Sequence, residues 1–361
     1  MRIARHVEAL TPYTPGEQPK SRSVIKLNTN ENPYPPSPRI TEVLNGFDLD
    51  RLRRYPDPNF AELRAQLAKL NGTVPERIFV GNGSDEVLSL AARAFVEDDE
   101  AIGSFDPSYS LYKTLAAIRN VPFVPSPLGP GFTWTEPVTT GANVKVALFL
   151  LTNPNAPTSI LYPEENIRAF AAKFPGVVIV DEAYADFADH NCMALATATD
   201  ATNVLVMRTF SKSFSLAGLR LGYCVGPEPL IEALYKIKDS YNVDALAQAV
   251  ALAALTDVDW MRASAAKVAT TRVRTAEELR RRGWDVPDSQ SNFLFAKPPA
   301  HAGTPAGVER AAEIFEALRS RQIFVRYFTY PETKDRLRIT IGTDAEMDAF
   351  LKAIDEIESA S

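Results

Sequence analysis

V-L-V-M-R-T-F-S-K-S-F occupies residues 204–214. Four apolar residues run straight into a polar loop that holds a lysine between two serines. A short apolar run of this kind reads as a strand buried on both faces. The plan repeats upstream. Residues 78–80 run into G-N-G-S-D-E, residues 144–151 into T-N-P-N-A-P-T, and residues 177–180 into D-E-A-Y. A further strand is read over 219–225. Amphipathic helices lie between these strands. Phe60, Leu63, Leu67 and Leu70 recur at helical spacing before a stop at Gly72, and similar patterns cover 87–95, 110–118, 167–174 and 230–237. Alternation of buried strands with such helices predicts an α/β fold with a mostly parallel sheet covered on both faces.

Outward from this core the pattern changes. Residues 245–282 read as almost continuous helix ending at Gly283, a connector out of the large domain. Strands at 293–296, 323–325 and 337–341, with helices at 308–319 and 345–357, predict a smaller α+β domain. The first 40 residues carry Pro12, Pro15, Pro19, Pro33, Pro35, Pro36 and Pro38. They read as an extended arm. Tyr13, Ile25, Leu27 and Tyr34 are too apolar for a free tail, so the arm is expected to pack. The division that results is an arm over 1–45, a large domain over 46–255 and a small domain over 256–361.

Composition narrows the function classes. The chain has 361 residues, 39 Lys+Arg against 45 Asp+Glu, and a net charge of −6. Apolar residues at 45% and charged residues at 23% are globular values. The acidic balance argues against nucleic acid. No apolar run approaches the roughly 20 residues that span a bilayer, and the start lacks the apolar stretch of a signal peptide. Cys192 and Cys224 suit a reducing, cytoplasmic compartment. His6, His190 and His301 lack metal-ligand spacing, so no metal is expected.

Parallel sheets place ligands at the carboxyl ends of their strands, and five consecutive strand ends here carry polar residues. Gly81, Gly83, Ser84 and Asp85 lie between a strand and a helix. That junction suits a phosphate, or Ser84 simply caps the helix. Asp181 and Glu182 end an apolar strand. Such an acid is a helix cap, a metal ligand or the partner of a buried cation, and the best functional option is an Asp facing a heterocyclic N–H⁺. Lys212 follows a buried strand, where desolvation makes an amine nucleophilic and fit for a Schiff base. Arg220 lies within reach of the same phosphate as Ser211. With Asn153 and Tyr184 for a phenolic oxygen and Tyr109 for a ring face, these are the parts that hold pyridoxal 5′-phosphate.

The ordered set G-N-G-S-D-E, P-S-Y-S, N-P-N-A-P-T, D-E-A-Y, S-K-S-F, G-L-R-L-G-Y and L-R-I-T-I-G resembles the fold-type I aminotransferases. Within them it is most similar to the branch that uses histidinol phosphate. P-Y-T-P-G at 12–16, L-N-T-N-E-N-P at 27–33, R-Y-P-D at 54–57 and F-V-R-Y-F at 324–328 extend the resemblance over nearly the whole chain. Ala156 stands where the family often has another small residue.

The resemblance implies a seven-stranded-type sheet and a set of roles. Lys212 would bond the cofactor aldehyde and shuttle the proton, and Asp181 would keep the ring nitrogen protonated. Tyr184 and Asn153 would bond the ring oxygen, with Tyr109 stacked on the ring. Gly83, Ser84, Asp85, Ser211 and Arg220 would hold the phosphate, and Tyr55 would reach the phosphate of the neighbouring subunit in a homodimer. Arg338 and Arg326 would bind substrate anions, helped by Tyr13 and Asn30 near the pocket mouth. The implied reaction is amino transfer between histidinol phosphate and 2-oxoglutarate, giving imidazole-acetol phosphate and glutamate in histidine biosynthesis. An aromatic amino acid aminotransferase or a phosphothreonine decarboxylase-like enzyme would use the same scaffold. A non-catalytic regulatory module would need a DNA-binding appendage that the sequence does not show.

Overall fold

The structure is a computed structural model and describes residues 2–10, 16–19, 24–141, 144–200, 202–300 and 308–359. Its centre is a seven-stranded run of sheet. The order is Ile78–Gly81, Gly222–Val225, Val204–Thr209, Val177–Asp181, Val144–Thr152, Ala101–Asp106 and Phe123–Pro127. Thr140–Gly141 adds a short antiparallel piece to the strand at 144–152. Among the seven, only Gly222–Val225 runs against the rest. Both faces are covered. Val178, Val180, Val204 and Val206 enter one apolar cluster, while Ile179, Leu205 and Met207 enter the other. That alternation is the period-2 geometry of a strand with no wet face.

Two of these strands were not expected. Ala101–Asp106 reads A-I-G-S-F-D, in which Gly103 and Ser104 resemble a turn. Gly103 is required there, because a Cβ on it would stand 2.8 Å from the Phe149 ring. Phe123–Pro127 holds two prolines and lies at the sheet edge, where a missing N–H is tolerated.

Three other expectations need adjusting. The strand expected over 219–225 begins only at Gly222, since Ala217–Leu219 is a 3₁₀ turn and Arg220 is left-handed at φ +56°. The long connector breaks into Ala245–Leu255 and Val258–Arg281. Asp257 sits at the break and accepts a hydrogen bond from Ser37 Oγ. The proline-rich arm is not wholly extended, because Arg39–Gly46 is helical.

Small-sheet strands Phe293–Ala296, Leu337–Thr340 and Arg326–Tyr327 form an antiparallel set, with Val308–Ser320 and Asp344–Ser359 as helices. A third apolar cluster joins Phe293, Leu294, Leu337 and Ile339 to Val268 and Leu279 of the long helix. Ile25–Lys26 of the arm pairs in parallel with Ile323–Phe324. The two form a separate two-stranded sheet, and the arm reaches the small sheet where the Thr340 N–H donates to the Leu27 carbonyl at 3.0 Å.

Strand register sets where the chemistry falls. Thr152 pairs with Asp181, and Thr209 and Gly81 each pair with Gly222. One edge of the sheet thus gathers all the polar strand ends. Gly176 controls entry to the Asp181 strand, since a Cβ there would lie 2.1 Å from the Ala147 carbonyl oxygen. Gly176→Ala is expected to cost about 1–3 kcal/mol through forced backbone movement. Denaturant unfolding measures it, and an unchanged midpoint would show that the strand entry is not tightly packed.

Candidate active site

Asp181 ends its strand with 5% of its surface exposed. Oδ2 accepts from Tyr112 Oη at 2.8 Å, and Oδ1 accepts from the Ala183 N–H at 3.2 Å. Tyr112 Oη also bonds Thr152 Oγ1 at 2.7 Å. Burial pushes the carboxyl up to about 6, while the bonds from Tyr112 and Ala183 resist. A buried carboxylate held in this way is prepared for a cation.

Lys212 follows the strand Val204–Thr209. Its Nζ donates to the Thr29 carbonyl at 3.1 Å and lies 5.8 Å from the centre of the Tyr184 ring. Its pKa falls to about 8. Burial is the largest cause and Arg338 adds to it, while Glu31 opposes. The amine is therefore a usable nucleophile near neutral pH.

A buried ion network fixes the lysine loop. Arg208 donates through Nε to Glu182 Oε2 at 2.8 Å and through Nη1 to Asp186 Oδ1 at 2.9 Å. Asp186 Oδ2 accepts from Ser213 Oγ, and Glu182 accepts from the Cys192 N–H. Glu182 and Asp186 flank Tyr184, and Ser213 follows Lys212, so Arg208 ties the two functional loops together. Sequence reading missed Arg208, Asp186 and Tyr112. An arginine at the end of the apolar run V-L-V-M was the available signal, since a charge there must be paired.

The helix Ser84–Ala94 begins at the same edge. Gly83, not Ser84, is its N-cap, at φ +79° and with no side-chain cap. A Cβ on Gly83 would come 2.9 Å from Arg220 Nη2, and one on Gly222 would come 2.5 Å from the Ser84 nitrogen. Two glycines thus let a helix N-terminus, a reversed strand and a guanidinium converge. Arg220 Nη2 contacts Asp85 Oδ2 at 3.2 Å. Ser211 is buried, with its N–H donated to Thr209 Oγ1 at 3.1 Å. Tyr109 meets the Tyr112 ring edge-on, 5.6 Å between centroids.

Two residues depart from their expected places. Asn153 is fully buried with its amide engaged elsewhere. Oδ1 accepts from Tyr162 N at 2.8 Å, and Nδ2 donates to Tyr162 O at 3.1 Å and Cys192 Sγ at 3.6 Å. That geometry contradicts a bond from Asn153 to a ring oxygen. Asn30 lies not at the pocket mouth but inside, where Nδ2 donates to Tyr184 Oη at 3.0 Å. Tyr184 also packs edge-on against Phe293 at 5.1 Å. Tyr13 lies outside the described residues. Tyr55 is 80% exposed and stacked on Tyr241 at 4.3 Å, and within one subunit it is not part of this cluster.

Arg326 and Arg338 sit directly opposite each other on neighbouring small-sheet strands. Arg338 Nη2 donates to the Asn28 carbonyl at 3.0 Å, and its guanidinium lies over Phe293 and Phe328. Like charges facing across a sheet destabilise it unless an anion lies between them.

The donor set fits pyridoxal 5′-phosphate. A depressed amine, a buried carboxylate, and a glycine-lined helix start with an arginine match the cofactor's aldehyde, ring nitrogen and phosphate.

Comparison with known proteins agrees with this geometry. The model of the family "Aminotransferase class I and II" matches residues 22–354, and the chain belongs to that family. More particularly, its relatives include the histidinol-phosphate aminotransferase 1 of Nostoc sp., 40% identical over 98% of this chain and 97% of the relative. The histidinol-phosphate aminotransferase of Geobacter sp. is 42% identical over 98% of both chains. The solved structure of histidinol-phosphate aminotransferase from Sinorhizobium meliloti, in complex with pyridoxal 5′-phosphate, superposes with a TM-score of 0.88 at 26% identity, covering 100% of this chain and 98% of that one.

Burial of Asp181 has a measurable consequence. Its folded pKa, about 6, lies above the ordinary 3.8, so the folded state takes up the proton first as pH falls. The charged group therefore opposes folding above pH 6, and this opposition fades between about pH 6 and 4. In cofactor-free protein, Asp181→Asn is expected to add about 2–3 kcal/mol of stability at pH 7 and progressively less toward pH 4. Thermal unfolding across that range checks it. A loss of stability at pH 7 would contradict the argument.

Lys212 gives a second test. Capture of pyridoxal 5′-phosphate by the cofactor-free protein, fixed by borohydride, is expected to accelerate with pH and level off above about 8, as the free amine does. It should vanish in Lys212→Ala. A rate still rising steeply at pH 10 would mean an ordinary solvated lysine.

Proposed function

We propose that this chain is a pyridoxal-phosphate-dependent histidinol-phosphate aminotransferase, moving the amino group of histidinol phosphate to 2-oxoglutarate and releasing imidazole-acetol phosphate and glutamate in histidine biosynthesis. The observation that carries the reading is the juxtaposition of Lys212 and Asp181 at one sheet edge with the opposed pair Arg326 and Arg338. It is supported by about 40% identity to named relatives along nearly the whole chain.

When bound, the cofactor supplies an aldehyde that condenses with amines and a protonated ring that draws electrons from the adjoining carbon. Lys212 Nζ would hold that aldehyde and, as a free amine, would serve as the base that moves the substrate proton. Asp181 keeps the ring nitrogen protonated, and Tyr112 orients the carboxylate. The phosphate is held by the N–H groups of Ser84 and Asp85, with Gly83 opening the approach, and by Ser211 and Arg220. Tyr109 lies against the ring. Tyr184 Oη would donate to the ring oxygen.

Arg338 takes the anion nearest the reacting carbon and Arg326 the second anion. Guanidinium groups form forked, charge-assisted bonds with both carboxylates and phosphates. One pair can therefore serve glutamate, with two carboxylates, and histidinol phosphate, with one phosphate. Tyr13 belongs to this reading as a substrate contact.

The chain works as a homodimer in this account. Leu44, Leu49, Leu52, Tyr55 and Tyr241 leave apolar surface exposed, and Tyr55 would reach the phosphate in the partner's site. The arm over 1–45 covers the small domain at 256–361 and the partner, with the large domain at 46–255 holding the cofactor. The buried free thiols of Cys192 and Cys224 suit a cytoplasmic home. Among the described residues no helix is long and apolar enough to cross a membrane.

Two measurements decide the reading. With 2-oxoglutarate as acceptor, kcat/KM for histidinol phosphate is expected to exceed that for phenylalanine or tyrosine by at least about tenfold, equivalent to about 1.4 kcal/mol. Preference for the aromatics would replace the reading with an aromatic aminotransferase. Mixing Lys212→Ala subunits with Tyr55→Ala subunits should restore sites of native cofactor affinity, because one site of each hybrid receives both intact residues. No restoration would place Tyr55 outside the shared site.

A further inference from the structure

The strap from Leu27 to Pro33 crosses the site. Its Thr29 carbonyl holds Lys212 Nζ, and Asn32 Nδ2 donates to the Lys212 and Ser213 carbonyls at 3.3 and 3.1 Å. In its middle Asn30 is 1% exposed and left-handed, at φ +56°. The Asn30 N–H donates to Thr340 Oγ1, and Thr340 Oγ1 donates back to Asn30 Oδ1, both at 3.0 Å. In that reciprocal pair Oδ1 takes the Thr340 proton. Oδ1 faces Thr340, so the atom 3.0 Å from Tyr184 Oη is the nitrogen, a donor. Asn292 Nδ2 adds a bond to the Asn30 carbonyl at 3.0 Å.

The other amides at this edge are engaged. Asn153 is bonded to Tyr162 and Cys192, Asn155 Oδ1 accepts from Thr158 Oγ1 at 2.8 Å, and Ala156 brings no polar side chain. We infer that Asn30 is a positioning residue for amino transfer: by donating to Tyr184 Oη, it turns the Tyr184 proton toward the cofactor's ring oxygen. The inference rests on the cofactor reading above and moves Asn30 from substrate recognition to control of Tyr184.

A hydroxyl has one proton and two lone pairs. With one lone pair occupied by Asn30 Nδ2, the proton cannot point at Asn30. Hydrogen bonds in series also polarise one another, so Tyr184 becomes the stronger donor. A strong donor stabilises negative charge on the ring oxygen. That charge is most in need of an outside donor when the Lys212–cofactor linkage has lost its own proton. Asn30 therefore favours the deprotonated linkage and lowers the pH at which the visible spectrum changes.

The test is a pH titration of the visible band in cofactor-loaded protein. Asn30→Gly removes the amide at a backbone position that glycine adopts freely. Its midpoint is expected to rise by about half to one pH unit. In a Tyr184→Phe background the same substitution should produce no further shift, which a merely structural role for Asn30 would not predict. Asn30→Asp keeps an acceptor for Thr340 but would take the Tyr184 proton and add a charge, so its midpoint should rise at least as far as that of Asn30→Gly; if the glycine variant does not fold, the part of the Asp shift that disappears in the Tyr184→Phe background decides the matter. An unmoved midpoint, or equal shifts in both backgrounds, overturns the inference and leaves the cofactor reading standing. A native protein that forms no visible band overturns both.

Discussion

Removal from water is what makes this site reactive, and it acts on two groups of opposite charge at one sheet edge. Burial raises Asp181 to about 6 and lowers Lys212 to about 8, each toward its neutral form. The neutral form is the useful one for the lysine, which must act as an amine. For the aspartate the useful form is the charged one, and a ring nitrogen carrying a proton would restore it. The cost of burying Asp181 is therefore offset by binding the partner it was shaped for, and the folded chain without cofactor stores part of that cost.

Rigid support keeps those groups in place. Asp181 is held by strand register and by Tyr112 from the covering helix Leu111–Arg119. Lys212 sits on a loop, and loops drift unless tied down. Arg208 supplies the tie by pairing with Glu182 and Asp186, with Asp186 in turn holding Ser213. Removing Arg208 would leave Glu182 charged in a dry place without its cation, so the network specifies one geometry and penalises the others. The anion pair follows a similar logic. Arg326 and Arg338 face each other across a register the sheet would not choose for stability. In the proposed reading, a substrate with two negative groups would offset that repulsion.

The core of this arrangement was legible because strand ends are punctuated. Four apolar residues followed by D-E or by R-T-F-S-K is a local pattern, and parallel topology carries such ends to one edge without further information. Arg208 could have been noticed as a charge closing an apolar strand. The strands Ala101–Asp106 and Phe123–Pro127 were hidden because one needs a glycine for close packing and the other is a proline-bearing edge. Asn153 was misplaced for a different reason. Its motif fixes the backbone, but its amide faces Tyr162, and only the tertiary path of residues 153–162 decides that direction.

The strap at 27–33 shows the limit of local reading most plainly. Nothing in L-N-T-N-E-N-P states which amide faces which group. Its role depends on two distant elements: Ile323–Phe324, which the arm joins as a neighbouring strand, and Thr340, which orients Asn30. Arg338 and Thr340 belong to one small-sheet strand, and both bond this strap, Arg338 at the Asn28 carbonyl. An anion that shifts Arg338 would thus act on the segment that also holds Lys212 and Tyr184. Through that short piece of chain, the small-sheet strand carrying Arg338 is mechanically joined to the Lys212 amine and the Tyr184 hydroxyl at the edge of the large sheet.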